Sequence, residues 1–329
     1  MLKLKGEAVI LVSNQKALYR FAVKNSFTIL ACHMCGLSTM KAIIEAAEEE
    51  DSPVVVQFFK PTYAIFEPLP KFLSYFRDFC AGVKAPILIN HDHTPSVEEC
   101  IWALDQGVPS IMFDGSHLPF EENVAKTKQV ADYAHKKGAW IEAELGSIPG
   151  MEDMVASGNN TVYTDPDKAA EFIERTACDC LAIAVGTAHG GVRADAPLEI
   201  DFDLLGRIRK AVGSEYPLVL HGAASLPKAY IDEVNKWGGK AEQLMMCTEE
   251  TIEKTRHYGV AKANMDVDNF LAITGAVRKF FAEKPEVFNH VQYLADAKAA
   301  MKAAVKHKMC NVTKSSGFGS KFTDTQSSL

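Results

Sequence analysis

Eight short β-rich runs, separated by helical patterns and nearly all ending in a polar side chain, constrain this chain more than any other feature. The runs are FTILACHM (27–34), PVVVQF (53–58), PILINHDH (86–93), PSIMFDG (109–115), AWIEAEL (139–145), CLAIAVG (180–186), YPLVLHG (216–222) and VAKANMD (260–266). Between them lie amphipathic stretches such as STMKAIIEAAEEE, SVEECIWALDQG, PFEENVAKTKQVADYAHKKG, DPDKAAEFIERTA and DFDLLGRIRKAVG. Several open on Ser or Asp and close on Gly, as helix boundaries do. Near-continuous apolar strands alternating with helices call for a parallel sheet covered on its outer face, and eight βα units fit a closed TIM (β/α)8 barrel better than an open sheet. The expected organisation is a single barrel domain over 1–329, with long connections at about 146–168 and 234–251 and a flexible tail at about 309–329.

In such a barrel the chemistry collects at the C-terminal ends of the strands. That rim would carry Cys32 and His33, Gln57 to Phe59, Asp92 and His93, Asp114, Glu144, His189, His221, and Asn264 with Asp266. His93, His189 and His221 end the third, sixth and seventh strands, so three imidazoles surround one mouth and can hold a divalent metal with a coordination position left open. Asp92 adjoins one of them. It either orients an imidazole or works as a general acid/base, and it can face the site beside His93 only if the chain leaves strand geometry there. Glu142 and Glu144 share one face of the fifth strand. Asp114 or Glu144 can serve a second or displaced metal ion, or hydrogen-bond inside the barrel. The glycines of HGG (189–191) and HGA (221–223), with Arg193, suggest an anion cradle. The Gly-rich, acidic loop after the fifth strand reads as a lid carrying Glu152 or Asp153.

Composition narrows the partners. A net charge of −7 and a pI near 5.8, without a basic cluster interleaved with aromatics, argue against nucleic acid and against a polybasic membrane anchor. No apolar run reaches transmembrane length and the first residues lack a secretory cleavage pattern, so a cytoplasmic location is expected. Eight scattered cysteines suit reduced thiols, and the single CxxC of Cys32 and Cys35 is read as incidental rather than as a zinc pair.

HDHTPSVEEC, SIMFDGSHLPFEENVAKTK, IEAELGSIPGMED, VGTAHGG, LVLHGA, AKANMD and TGAVRKFF together resemble the class II, zinc-dependent fructose-bisphosphate aldolase family over nearly the whole chain. The resemblance implies zinc on His93, His189 and His221, with a monovalent cation as a further ion to consider. It implies proton transfer by Asp92 and by Glu152 of the loop, and an alternative metal position at Asp114 and Glu144. Gly190, Gly222, Asn264 and Asp266 would line the phosphate and hydroxyl groups of a ketose, with Arg193 where relatives usually have lysine. A homodimer or homotetramer acting on a small sugar phosphate is the implied assembly.

Departures from the family pattern fall on the substrate contacts. Cys32-His33 stands where Phe-Asn is usual, Phe59 where a serine is usual, Ala224 and Val267 where hydroxyl residues are usual, and Phe270 where an arginine engages the distal phosphate. Losing a bidentate Arg contact and several hydroxyls removes anion affinity, so the expected substrate is a ketose phosphate other than fructose 1,6-bisphosphate, with an uncharged or less charged aldehyde end. Two other readings stand beside this one. His91-x-His93 after a barrel strand mimics the histidine pair of metal-dependent hydrolases, and the altered contacts would suit a catalytically idle assembly subunit.

Overall fold

The computed structural model describes residues 14–63, 68–152, 155–157, 161–192, 196–241 and 245–323. Its strands are β1 (Ile29–His33), β2 (Val54–Phe58), β3 (Ile87–Thr94), β4 (Ser110–Phe113), β5 (Trp140–Leu145), β6 (Gly150–Glu152), β7 (Val155–Ser157), β8 (Cys180–Ile183), β9 (Leu218–Leu220) and β10 (Val260–Asn264). Eight of them close a parallel barrel in the order β1-β10-β9-β8-β5-β4-β3-β2, while β6 and β7 form a separate antiparallel hairpin. Each of the eight sequence runs carries one barrel strand, with β3 extending one residue beyond its run to Thr94.

Alternation explains the two-sided burial. Leu30, Val54, Val56, Ile87, Ile89, Ile141, Leu181 and Leu218 join the large cluster beneath the helices, whereas Ile29, Ala31, Val55, Leu88, Trp140, Cys180, Val219 and Ala261 fill the inside. Helix starts follow the expected chemistry where Ser or Asp is present: Ser96, Asp165 and Asp201 accept the backbone N–H of Glu99, Lys168 and Leu204. The helix Leu37–Glu49 differs, beginning one residue before Ser38 with Gly36 at its cap and no side-chain bond there.

Two features of the lower end lie outside the eight-unit pattern. A helix at Gln15–Asn25 closes the barrel floor, burying Leu18, Tyr19 and Ala22 against the interior cluster, with Tyr19 stacked on Trp140 at 5.0 Å. The flexible tail expected from residue 309 is instead held in place to residue 323. The last long helix runs to Asn311, Thr313 and Ser315 are buried, Phe318 stacks on Phe27 at 4.4 Å, and Phe322 packs near Phe21 at 5.8 Å. Two phenylalanines four residues apart in a polar segment supply the anchor, since burying one such ring contributes about 1.5–3 kcal/mol.

The long connections also carry structure. The segment after β5 holds the hairpin, and Gly150 meets the chain at His189, whose N–H donates to Pro149 O at 2.8 Å. The connection before β10 is shortened at both ends by the helices Lys228–Lys236 and Glu249–Lys254. No helix among the described residues is long and apolar enough to cross a membrane.

Candidate active site

Regular alternation along β3 would point Asn90 and Asp92 inward and send His91 and His93 outward together. The pairing of β3 with β4 slips between His91 and Thr94, and His93 takes a positive φ of 40°. This is a β-bulge, and a left-handed non-glycine residue costs about 1–3 kcal/mol. Its effect is to turn Asp92 and His93 to the same side, which the sequence required but could not supply by strand geometry. His91 stays outside. Its Nδ1 lies 2.6 Å from Thr94 Oγ1, its ring meets Phe58 edge-on at 5.0 Å, and burial pushes its pKa down to about 4. The hydrolase-like pairing of His91 with His93 is therefore overturned, because the bulge separates the two rings across the sheet.

His93, His189 and His221 each offer a ring nitrogen, all within 4.8 Å of one another. His93 Nε2 and His221 Nδ1 stand 3.0 Å apart. Two nitrogens bound tetrahedrally to one zinc ion at about 2.0–2.1 Å would be separated by about 3.3 Å, so the spacing fits a shared cation. The opposite ring nitrogens fit as well. Asp114 Oδ2 lies 3.0 Å from His93 Nδ1, and Glu142 Oε1 lies 2.7 Å from His221 Nε2, the arrangement by which carboxylates orient metal-binding imidazoles. Asp114 is itself held by the backbone N–H and hydroxyl of Ser116. The residues present thus suit a divalent ion with nitrogen ligands. His93, Asp114 and Glu144 make a second group of the same compactness, which keeps the alternative metal position geometrically open.

The charge pattern beneath the histidines centres on Lys262, which sequence reading missed. Its side chain is fully buried, donates to Glu142 Oε2 at 2.7 Å and lies 3.9 Å from Asp92 Oδ1. A lysine in the middle of an apolar strand, VAKAN, was the available signal. Burial alone would lower the Lys262 pKa, but Glu142 and Asp92 outweigh it and raise it. Burial would likewise raise the Asp92 pKa, yet Lys262, His93 and His33 hold that carboxyl well below the usual range. Asp92 is further fixed by Asn90 Nδ2 at 3.2 Å and by Asn264 Nδ2 at 3.0 Å. An ionised, immobilised carboxylate beside a trio of imidazoles is equipped to accept a proton from a bound hydroxyl.

The remaining rim residues divide. Asn264 touches both Asp92 and His221, the latter at 3.2 Å. Asp266 stands at the N-cap of the helix Val267–Glu283 without capping it, because its carboxylate is taken by His33. Phe59 lies edge-on to His33 at 5.4 Å, and Phe270, in the first turns of that helix, is 42% exposed. Gly190 and Gly222 both have positive φ, 69° and 57°. At Gly222 a Cβ would sit 2.6 Å from the Ala188 carbonyl, and at Gly150 one would sit 2.0 Å from the His189 carbonyl, so only glycine lets these loops close around the His189 backbone. Cys32 turns outward, its sulfur near Asn269 Nδ2 and the Met265 carbonyl, whereas Cys35 is exposed. They do not face each other as a zinc pair would. The backbone of Glu152 lies on β6, but its side chain, and Asp153 and Arg193 entirely, lie outside the described residues.

A closed parallel barrel whose mouth gathers three imidazoles and an ionised aspartate defines a barrel enzyme framework with a candidate metal centre. Residues 13–317 match the model of the family described as fructose-bisphosphate aldolase class-II. The chain is 35% identical over 322 residues to a fructose-bisphosphate aldolase of Treponema pallidum, covering 92% of this chain and 96% of that one. It is also 35% identical over 296 residues to a fructose-bisphosphate aldolase of Thermus caldophilus, covering 88% and 94%. Among solved structures it is similar to a putative fructose-1,6-bisphosphate aldolase from Coccidioides immitis (TM-score 0.75, 30% identity, 94% and 99% covered). It also resembles the YdjI aldolase from Escherichia coli K12 (TM-score 0.72, 27% identity, 92% and 98% covered). The chain belongs to the class II fructose-bisphosphate aldolase family.

Proposed function

We propose that this protein is a zinc-dependent aldolase that cleaves a ketose phosphate into a dihydroxyacetone phosphate-like triose and an aldehyde. The observation that carries this reading is the convergence of His93, His189 and His221 within 4.8 Å, beside the buried, ionised Asp92. These three histidines would hold the ion, with Asp114 and Glu144 available to a displaced ion. When bound, the ion polarises the ketose carbonyl and stabilises the negative charge that develops next to it. Asp92 takes the proton of the C4 hydroxyl, the C3–C4 bond breaks, C4 becomes the aldehyde carbonyl, and the electron pair stays with the three-carbon fragment. Glu152, on the loop hairpin, returns a proton to that fragment. Gly190, Gly222, Arg193, Asn264 and Asp266 receive the phosphate-bearing end and its hydroxyls.

Phe59 and Phe270 supply aromatic surface where a second phosphate would need cations, so the substrate carries an uncharged or weakly charged aldehyde end. The reduced, largely buried thiols support a cytoplasmic enzyme, and a homodimer or homotetramer is its working form. The test is a coupled cleavage screen of ketose mono- and bisphosphates using metal-free and zinc-restored protein. The reading expects triose release only after zinc is restored, with a monophosphate preferred. Absence of metal-dependent release would refute the lyase, and a micromolar KM for fructose 1,6-bisphosphate would refute the substrate preference.

A further inference from the structure

We propose that His33 is a positioning residue that fixes the Asp92 carboxylate by tying it to Asp266 across the barrel mouth. The proposal rests on the role given above to Asp92 and concerns the same site.

β1 alternates so that Ile29 and Ala31 face inward, and the same parity brings His33 inward at the strand end, where it is 2% exposed. Its backbone N–H donates to Asp266 Oδ1 at 2.8 Å and its Nδ1 lies 2.8 Å from Asp266 Oδ2. One carboxylate therefore grips both the main chain and the ring of one residue. This leaves the ring little freedom to turn, and it accounts for an aspartate that occupies an N-cap position without capping. The other nitrogen, Nε2, stands 3.2 Å from Asp92 Oδ2. Both neighbours are carboxylates, so the ring is wedged between two acidic groups, bonded to Asp266 and in close polar contact with Asp92. Phe59 closes the remaining side edge-on at 5.4 Å and obstructs a swing away from Asp92.

The consequence is directional. Asp92 Oδ1 is held from its own strand by Asn90 and from β10 by Lys262, and Oδ2 is held from β10 by Asn264. Only His33 reaches Asp92 from β1, among the contacts described. Without that contact the carboxylate is drawn only by Asn90, Lys262 and Asn264 and can tilt away from β1, and a misplacement of about 1 Å is enough to cost about 100-fold in a proton transfer that depends on alignment. His33 gains and loses no proton in the step. Asp92 receives the C4 hydroxyl proton, and His33 keeps the receiving lone pair aimed.

Two reactions of the same site separate this role from general damage. Cleavage needs Asp92, whereas exchange of a carbon-bound hydrogen of dihydroxyacetone phosphate with deuterated water needs the ion and the loop acid but not Asp92. His33→Phe keeps the ring volume and removes both ring nitrogens, and His33→Gln restores one polar N–H group. For the best ketose phosphate of the screen, His33→Phe should lower kcat about 10- to 100-fold with KM within about twofold, as a misaligned proton acceptor predicts. Deuterium exchange and bound zinc should stay near wild type, and His33→Gln should recover part of kcat. Wild-type cleavage by both variants overturns the proposal, as does proportional loss of cleavage and exchange, or loss of zinc. Asp92→Asn serves as the reference. If it fails to cleave while His33→Phe cleaves normally, the His33 proposal alone falls; if it cleaves normally, the reading of Asp92 falls first.

Discussion

Replacing Lys262 by Met removes the cation that Glu142 and Asp92 share while keeping the hydrocarbon volume. The two carboxylates lie 2.7 and 3.9 Å from Nζ, and none of the three side chains is more than 1% exposed. At an effective dielectric of about 20 the gross attractions are about 6 and 4 kcal/mol. Much of this offsets the desolvation of the same charges, but deleting one partner leaves the others buried without compensation, and such deletions cost about 3–5 kcal/mol. With an unfolding entropy of about 2.1 cal/mol/K per residue, the melting midpoint should fall by about 4–7 °C. The assay is thermal and urea unfolding of the chelator-treated protein at neutral pH, so that metal binding does not contribute to the midpoint. Glu142→Gln alone should also destabilise, and the double variant Lys262→Met/Glu142→Gln should be at least about 2 kcal/mol more stable than the sum of the singles predicts, because it leaves fewer unpaired charges. Additivity of the two changes within about 0.5 kcal/mol would refute the reasoning, since it would mean that Lys262 is not balancing Glu142.

Two further outcomes follow from the site and its surroundings. The folded His91 has a pKa lowered from 6.5 to about 4 by burial, so it contributes stability that is complete above pH 6.5 and lost as pH falls toward 4, by about 3 kcal/mol in all. His91→Phe should flatten the stability profile across that window, and an unchanged slope in chemical denaturation would exclude His91 as its source. Phe270 is half-exposed at the rim, so Phe270→Arg should fold normally and raise kcat/KM for fructose 1,6-bisphosphate by about 10-fold or more, the worth of a charged hydrogen bond to phosphate. Steady-state kinetics on mono- and bisphosphates should show the gain on the bisphosphate alone; an equal gain on both would place Phe270 away from the distal phosphate.

The barrel was legible because its strands obey one rule, apolar outside and graded from apolar to polar inside, and that rule is written in every second residue. The histidine trio was legible from its places along the chain, at or beyond a strand end each time: His93 next to last in β3, His221 directly after β9, and His189 in the loop past β8, where it pairs with Gly150. What alternation could not express was the bulge of β3. A positive φ at His93 leaves no mark in composition, yet it decides that Asp92 and His93 share a side and that His91 does not. The floor helix Gln15–Asn25 and the anchoring of Phe318 and Phe322 depend on a cavity that exists only after the barrel closes. His33 and Lys262 were visible as residues, but their partners are distant in sequence, Asp92 on β3, Glu142 on β5 and Asp266 just past β10.

The Tyr19–Trp140 stack has a bearing on traffic through the molecule. Among the described residues, hydrocarbon and aromatic rings stopper the lower end, which leaves the rim as the side from which the buried acids, the lysine and the imidazoles meet solvent. The floor is nonetheless wired to the charged layer above it: Trp140 Nε1 donates to Cys180 Sγ at 3.3 Å and Cys180 Sγ to Glu142 Oε2 at 3.7 Å, so a change at the stack reaches the carboxylate that orients His221.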